Sequence, residues 1–168
     1  ETLLSGQEAH HALHVVRVRK SDAVVLFDGK GVEYRGTVLE ILRQTVRIAV
    51  SECRVYPPSA VRLVLFQGWL HREKSIEELI RRATALGVAR FHFFQARHSE
   101  RHPAPPAKLE RYAIESLKQC GRAWLPEFQA SSSLAEALEA EFAPEGRPQS
   151  LLMATQDKAP LPLQEALR

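Results

Sequence analysis

Two cysteines, one methionine and no long apolar run are all that this 168-residue chain offers where several classes of protein need more. Cys53 and Cys120 stand far apart and form no CxxC pair. That argues against a disulfide framework and a structural zinc site, and suits a reducing, cytoplasmic compartment. The apolar patches Val61–Phe66 and Phe91–Phe94 fall far short of the ~20 residues a membrane span needs. Glu1–Gln7 lacks the positive start and apolar run of a secretory leader. No GxGxxG, GxxxxGK[ST] or GxSxG occurs, which removes the common nucleotide-binding and serine-hydrolase readings. The chain begins without Met and breaks off at Arg168 in mid-pattern. The expectation is that it is part of a longer protein.

What is present is ordinary globular material, with 45% hydrophobic and 26% charged residues, so general disorder is excluded. The charge is unevenly spread. Residues 1–60 hold 8 Lys/Arg against 7 Asp/Glu, residues 61–125 hold 12 against 6, and residues 126–168 hold 3 against 7. A basic middle is either a surface for a polyanion or a solvated helix face.

The first part reads as a helix over Gln7–Arg19, with Ala9, Ala12, Leu13 and Val16 on its apolar stripe, followed by closely spaced strands. Val24–Phe27, Val32–Ile41 and Thr45–Val50 are β-branched and apolar, and Asp28-Gly29-Lys30-Gly31 is a hairpin signal. This predicts a small barrel over 1–57. Tyr56-Pro57-Pro58-Ser59 is the linker, because two prolines stop both helix and ladder. From residue 60 the rhythm becomes strand then helix. Strands are predicted at Val61–Phe66, Ala89–Phe94 and Leu151–Ala154, and helices at Ser75–Leu86, Lys108–Cys120 and Leu134–Phe142. A last helix barely begins after Pro160 and Pro162. Ser75 and Glu78 have capping-box spacing, and Gly87 and Gly121 stand where helices end. An α/β fold with a mostly parallel sheet follows.

Few residues carry chemistry on spacing alone. His10 and His14 are four apart, but no Glu follows the first and no third ligand is near, so no metal is expected. With His11, Arg17, Arg19 and Lys20 they make either a surface for phosphate or a partner, or a solvated face. Arg122, just after Gly121, either complements a helix dipole or aims its fork of donors at a phosphate.

Three stretches taken together go further. They are His11–Arg19 running into Leu26-Phe27-Asp28-Gly29-Lys30-Gly31, then Glu73-Lys74 through Ala83-Thr84-Ala85-Leu86-Gly87-Val88, and Glu115 through Gln119-Cys120-Gly121-Arg122 with Pro126-Glu127. In this order they resemble the ribosomal RNA small subunit methyltransferase E family. The resemblance implies a PUA-like β-barrel followed by a SPOUT-type α/β methyltransferase domain over 60–168, cut off before its trefoil knot is complete. It implies a homodimer using S-adenosyl-L-methionine to methylate N3 of a uridine in the decoding region of 16S rRNA in the small ribosomal subunit. Carried onto matching positions, it makes Arg97 and Arg122 catalytic, and His11, His14, Arg17, Arg19 and Lys74 RNA contacts. Met153, Ala154, Thr155 and Gln156 become the first cofactor loop. The chain departs from the family at Gln95-Ala96-Arg97-His98, where an acid is lost, and it lacks the later glycine-rich cofactor loop. Ala143-Pro144-Glu145-Gly146-Arg147 reads as a turn rather than a substitute for that loop. A ribose 2′-O methyltransferase and a non-catalytic RNA- or ribosome-binding module remain as alternatives.

Overall fold

A computed structural model describes residues 1–97, 99 and 104–145. The first unit contains β1 (Thr2–Leu4), α1 (Gly6–His10) continued by a π-helical turn over His11–Val16, β2 (Ala23–Phe27), β3 (Val32–Ile41) and β4 (Val46–Val55). Its strands form one antiparallel sheet in the order β1-β4-β3-β2. Bulges at Arg35/Gly36 and Val38/Glu40 bend the sheet, so that Val38, Val46 and Ile48 are enclosed by Leu4, Ala12, Leu13, Val18, Val24 and Leu26.

Two expectations for this unit need correcting. The helix does not reach Arg19: Arg17 takes the left-handed conformation, at φ 59°, and ends it. Val16 does not join the buried stripe and is 58% exposed. The π turn bonds i to i+5, so a 3.6-residue stripe loses phase after His10. Strand β1 was not anticipated, since three residues are too few to show alternation.

The second unit runs β5 (Leu63–Gly68), α2 (Glu73–Leu86), β6 (Val88–Phe94), α3 (Pro106–Cys120), β7 (Glu127–Ser131) and α4 (Leu134–Glu145). Its sheet is parallel, in the order β5-β6-β7. Phe91 and Phe93 face α2 and α3 and share a core with Trp69, Ile80, Leu109 and Tyr112. The intervening His92 faces the other way, stacked on Phe66, which meets Phe142 of α4. Alternation along one strand therefore serves two helical layers.

Three details depart from the sequence reading. Helix α2 begins at Glu73, with Arg72 in the cap position and no side-chain cap bond. The Ser75 amide already bonds to the Arg72 carbonyl, so Ser75 lies inside the first turn and the capping box does not form. Strand β7 was missed, because Glu127-Phe128-Gln129-Ala130-Ser131 carries only two apolar residues. Helix α4 runs on to Glu145, through positions read as a turn. The predicted strand Leu151–Ala154, the helix after Pro162 and the knot lie outside the described residues.

A charged network holds α4 to the sheet. Glu141, only 3% exposed, accepts from Arg62 and Arg90, both at 2.7 Å, and Arg90 also binds Glu127. Burial opposes ionisation of Glu141, but the hydrogen bonds and charges of Arg90 and Arg62 outweigh it and hold its pKa below the ordinary 4.5. A carboxylate with a depressed folded pKa contributes stability above its unfolded pKa. That contribution is lost as pH falls from about 4.5 through the lower folded value. We expect Glu141→Gln to cost roughly 1–3 kcal/mol near neutral pH, by leaving two guanidinium groups short of a partner. Urea midpoints should converge between wild type and variant as pH drops below about 4, and a constant gap would contradict this assignment.

Candidate functional site

Three parallel strands joined by returning helices give the second unit two distinct ends. At the carboxyl end of the strands lie Gly68 and Trp69, Lys74 in the first turn of α2, and Arg97 in the turn after β6. At the amino end lie the last turns of α2 and α3 with Gly87, Gly121 and Arg122. Strand β6 has 7 residues, so the two ends are separated by about 23 Å at ~3.3 Å per residue. Arg97 and Arg122, both expected to be catalytic, therefore stand at opposite ends within one chain.

The carboxyl end is where open parallel sheets place ligands. Arg97 is exposed there, and among the described residues neither it nor Lys74 has an ion-pair partner. Most other cations of the basic middle are internally neutralised. Arg81 binds Glu77 and Glu115, Arg82 binds Glu78, Arg90 binds Glu127 and Glu141, and Lys108 binds Glu73. The surface of α2 around Lys74, Glu77, Glu78, Arg81 and Arg82 is thus mixed in sign.

Arg122 has a structural task. Its Nε donates to the Ala85 carbonyl at 2.9 Å. Its guanidinium lies over Gly87, so closely that a Cβ there would come within 2.6 Å of it. Gly87, at φ 92°, suits the left-handed helix end, and any side chain there would also push the Arg122 guanidinium aside. The arginine ties the ends of α2 and α3 together.

The first unit meets this amino end. The Asp28–Gly31 hairpin lies along Ala123–Leu125: the Gly31 amide bonds to the Ala123 carbonyl at 3.0 Å, and the Leu125 amide to the Gly29 carbonyl at 2.9 Å. Lys30 and Trp124 face each other across this antiparallel bridge. Asp28 prepares the hairpin by accepting from the Lys30 and Val32 amides at 2.7 and 3.0 Å. A second tie joins Glu8 of α1 to Lys118 of α3 at 2.8 Å. His11, on the turn that continues α1, is half-buried, while His14, Arg17 and Arg19 are exposed. The His10 and His14 rings lie 4.5 Å apart in a tilted arrangement, and no cluster of three metal-ligating side chains occurs among the described residues. The expected RNA contacts thus divide, with Lys74 at the same end of the sheet as Arg97 and the remainder on the first unit.

His92 was not singled out by sequence. It is buried, its Nε2 lies 2.8 Å from Ser131 Oγ, and its Nδ1 has no partner among the described residues. Burial pushes its pKa down, keeping the ring neutral inside the α4 layer. Thr84 Oγ1, also buried and without a partner among the described residues, lies on the core face of α2. Met153, Ala154, Thr155 and Gln156 fall outside the described residues.

Comparison with known proteins now bears on this geometry. Residues 57–166 match a model described as an RNA methyltransferase domain, and residues 4–51 one described as an RNA methyltransferase PUA domain. The chain is 29% identical over 166 residues to the ribosomal RNA small subunit methyltransferase E of Synechocystis, covering 94% of this chain and 52% of that protein. It thus spans about half the length of that relative. Its fold is similar to a crystal structure of a probable rRNA methyltransferase from Porphyromonas gingivalis, with TM-score 0.69 and 23% identity, covering 81% of this chain and 58% of that one. It is also similar to a ribosomal RNA small subunit methyltransferase E from Neisseria gonorrhoeae bound to S-adenosyl methionine, with TM-score 0.67 and 19% identity over 77% and 56% of the two chains. The fold is therefore the SPOUT-type α/β architecture with an N-terminal PUA domain.

Because Arg122 braces two helix ends, Arg122→Ala should lower stability by about 0.5–1.5 kcal/mol, the net worth of one hydrogen bond. Arg122→Lys should recover little, since an ammonium has no planar fork to lie over Gly87. Chemical denaturation of both variants measures this, and unchanged midpoints would remove the bracing role.

Proposed function

The chain belongs to the RNA methyltransferase family, and from that membership we propose that it serves S-adenosyl-L-methionine-dependent methylation of 16S rRNA at N3 of a uridine in the decoding region. The observation that carries this reading is the PUA domain standing directly before the methyltransferase domain, with likeness to a ribosomal RNA small subunit methyltransferase E across nearly the whole chain. The cofactor is that of the Neisseria gonorrhoeae relative. The described residues do not by themselves make a site for it: their two unpartnered buried polar atoms, Thr84 Oγ1 and His92 Nδ1, lie within packed layers.

The cofactor, when bound, supplies the methyl group as an electrophile. The contribution of this chain is position and charge. Methylation at N3 requires loss of the ring proton, which leaves negative charge on the uracil. Arg97, at the carboxyl end of the sheet and without an ion-pair partner among the described residues, stabilises that charge or holds the adjoining phosphate. Lys74 at the same end is a second phosphate contact. His11, His14, Arg17 and Arg19 hold RNA on the PUA side, with Arg122 keeping the amino end in shape for them. A homodimer completes the site, and the cytoplasm, where ribosomes are assembled, is its compartment. No metal takes part in this scheme.

Nucleoside analysis of 16S rRNA from cells lacking the gene should show loss of 3-methyluridine. Loss of a ribose methyl group instead would reassign the reaction, and an unchanged profile would remove the enzymatic reading. In the full-length enzyme, Arg97→Ala should lower methyl transfer roughly tenfold or more while leaving thermal stability unaltered. Full activity in that variant would place Arg97 outside the site.

A further inference from the structure

The seam between the two units carries an aromatic side chain that the reaction does not use. Trp124 is 42% exposed, whereas the other tryptophan, Trp69, is 4% exposed and stacked on Phe93. Its indole is held in one orientation. Nε1 donates to the Tyr56 carbonyl at 3.0 Å, and the ring lies over Gly31 so closely that a Cβ there would come within 2.5 Å of it. An oriented, half-exposed indole is a surface with a π-face and little conformational entropy left to lose.

Its surroundings are cationic. Lys30 and Trp124 form a pair flanked by, but not sharing, the two main-chain hydrogen bonds of the bridge. In such a pair the side chains leave the same face and approach most closely. Lys30 is exposed and has no ion-pair partner among the described residues. The Arg54 guanidinium lies 4.8 Å from the centre of the Tyr56 ring, beside the carbonyl that holds the indole. The nearby acids are engaged within the fold: Asp28 mainly by backbone amides, with the charge of Lys30 acting on it more weakly, and Glu33 mainly by Arg35 and Tyr56, with Arg54 opposite it on the ladder. A fixed aromatic face flanked by exposed cationic side chains fits a single-stranded polynucleotide, whose bases stack while its phosphates pair.

We infer that Trp124 is a stacking platform for an unpaired RNA base at the seam of the two units, with Lys30 and Arg54 taking the adjoining phosphates. This rests on the RNA-methyltransferase reading and adds to it a contact at the end of the sheet remote from Arg97. The platform grips RNA away from the methylated base and helps set which strand reaches the far end.

The experiment titrates the protein with a short single-stranded oligouridylate and with a transcript of the 16S decoding region, reading retention of radiolabelled RNA on filters alongside tryptophan emission. Binding should quench the exposed tryptophan, with buried Trp69 as the internal reference. Trp124→Leu should weaken retention roughly ten- to a hundredfold, with Trp124→Phe intermediate and Lys30→Gln severalfold weaker at low salt but not at high. RNA retained with unaltered emission, or retained equally by Trp124→Leu, would overturn the platform and leave the methyltransferase reading in place. Retention of neither RNA by wild type would remove both. Should Trp124→Leu fail to fold, the wild-type quench and Lys30→Gln still decide.

Discussion

The parallel sheet of the second unit imposes a direction on everything attached to it. Each strand must be entered at the same end, so each helix has to travel back, and loops collect in two groups with different duties. The carboxyl ends pack Trp69 into the core yet leave Lys74, in the first turn of α2, and Arg97, in the turn after β6, at the surface. Turns at the amino ends are filled by helix termini and by the neighbouring unit, and carry Gly87, Gly121 and Arg122. The placement of Lys74, Arg97 and Arg122 follows from which group each falls in.

Much of this could be read in the amino acids, and the failures have identifiable causes. The β-rich first unit, the double-proline linker and the alternation of strand and helix were visible because apolar period and turn residues agreed. Gly87 and Gly121 ended helices as read, because a left-handed residue at that point has few substitutes. Strand β7 was invisible because an outer strand with Phe128 as its main apolar anchor gives almost no alternation. The helix after Ser5 was drawn too long because a π turn breaks the 3.6-residue count without any residue that announces it. The capping box at Ser75 failed because Glu73 and Lys74 are good helix formers and carry the first turn further back.

The site was less legible than the fold. Arg97 and Arg122 could be named from local resemblance, but their separation is a property of the sheet and appears only once strand direction is known. The apparent basic patch of residues 61–125 shrinks because its arginines meet glutamates that are distant in sequence, such as Glu115 for Arg81 and Glu141 for Arg90. Net charge counted along a chain does not show which charges cancel. Trp124 carried no signal at all, being one aromatic residue in an irregular stretch.

The joint between the two units is made largely of main-chain groups, from Gly29 and Gly31 on one side and Ala123 and Leu125 on the other. Amides and carbonyls are common to every residue, so such a joint tolerates side-chain drift wherever backbone shape is kept. Sensitivity is concentrated at the two bare α-carbons, Gly29 against Leu125 and Gly31 beneath an indole, both at positive φ. Two surfaces can thus change their chemistry independently while the angle between them stays fixed, which lets a reading head be retuned without moving the hand that writes.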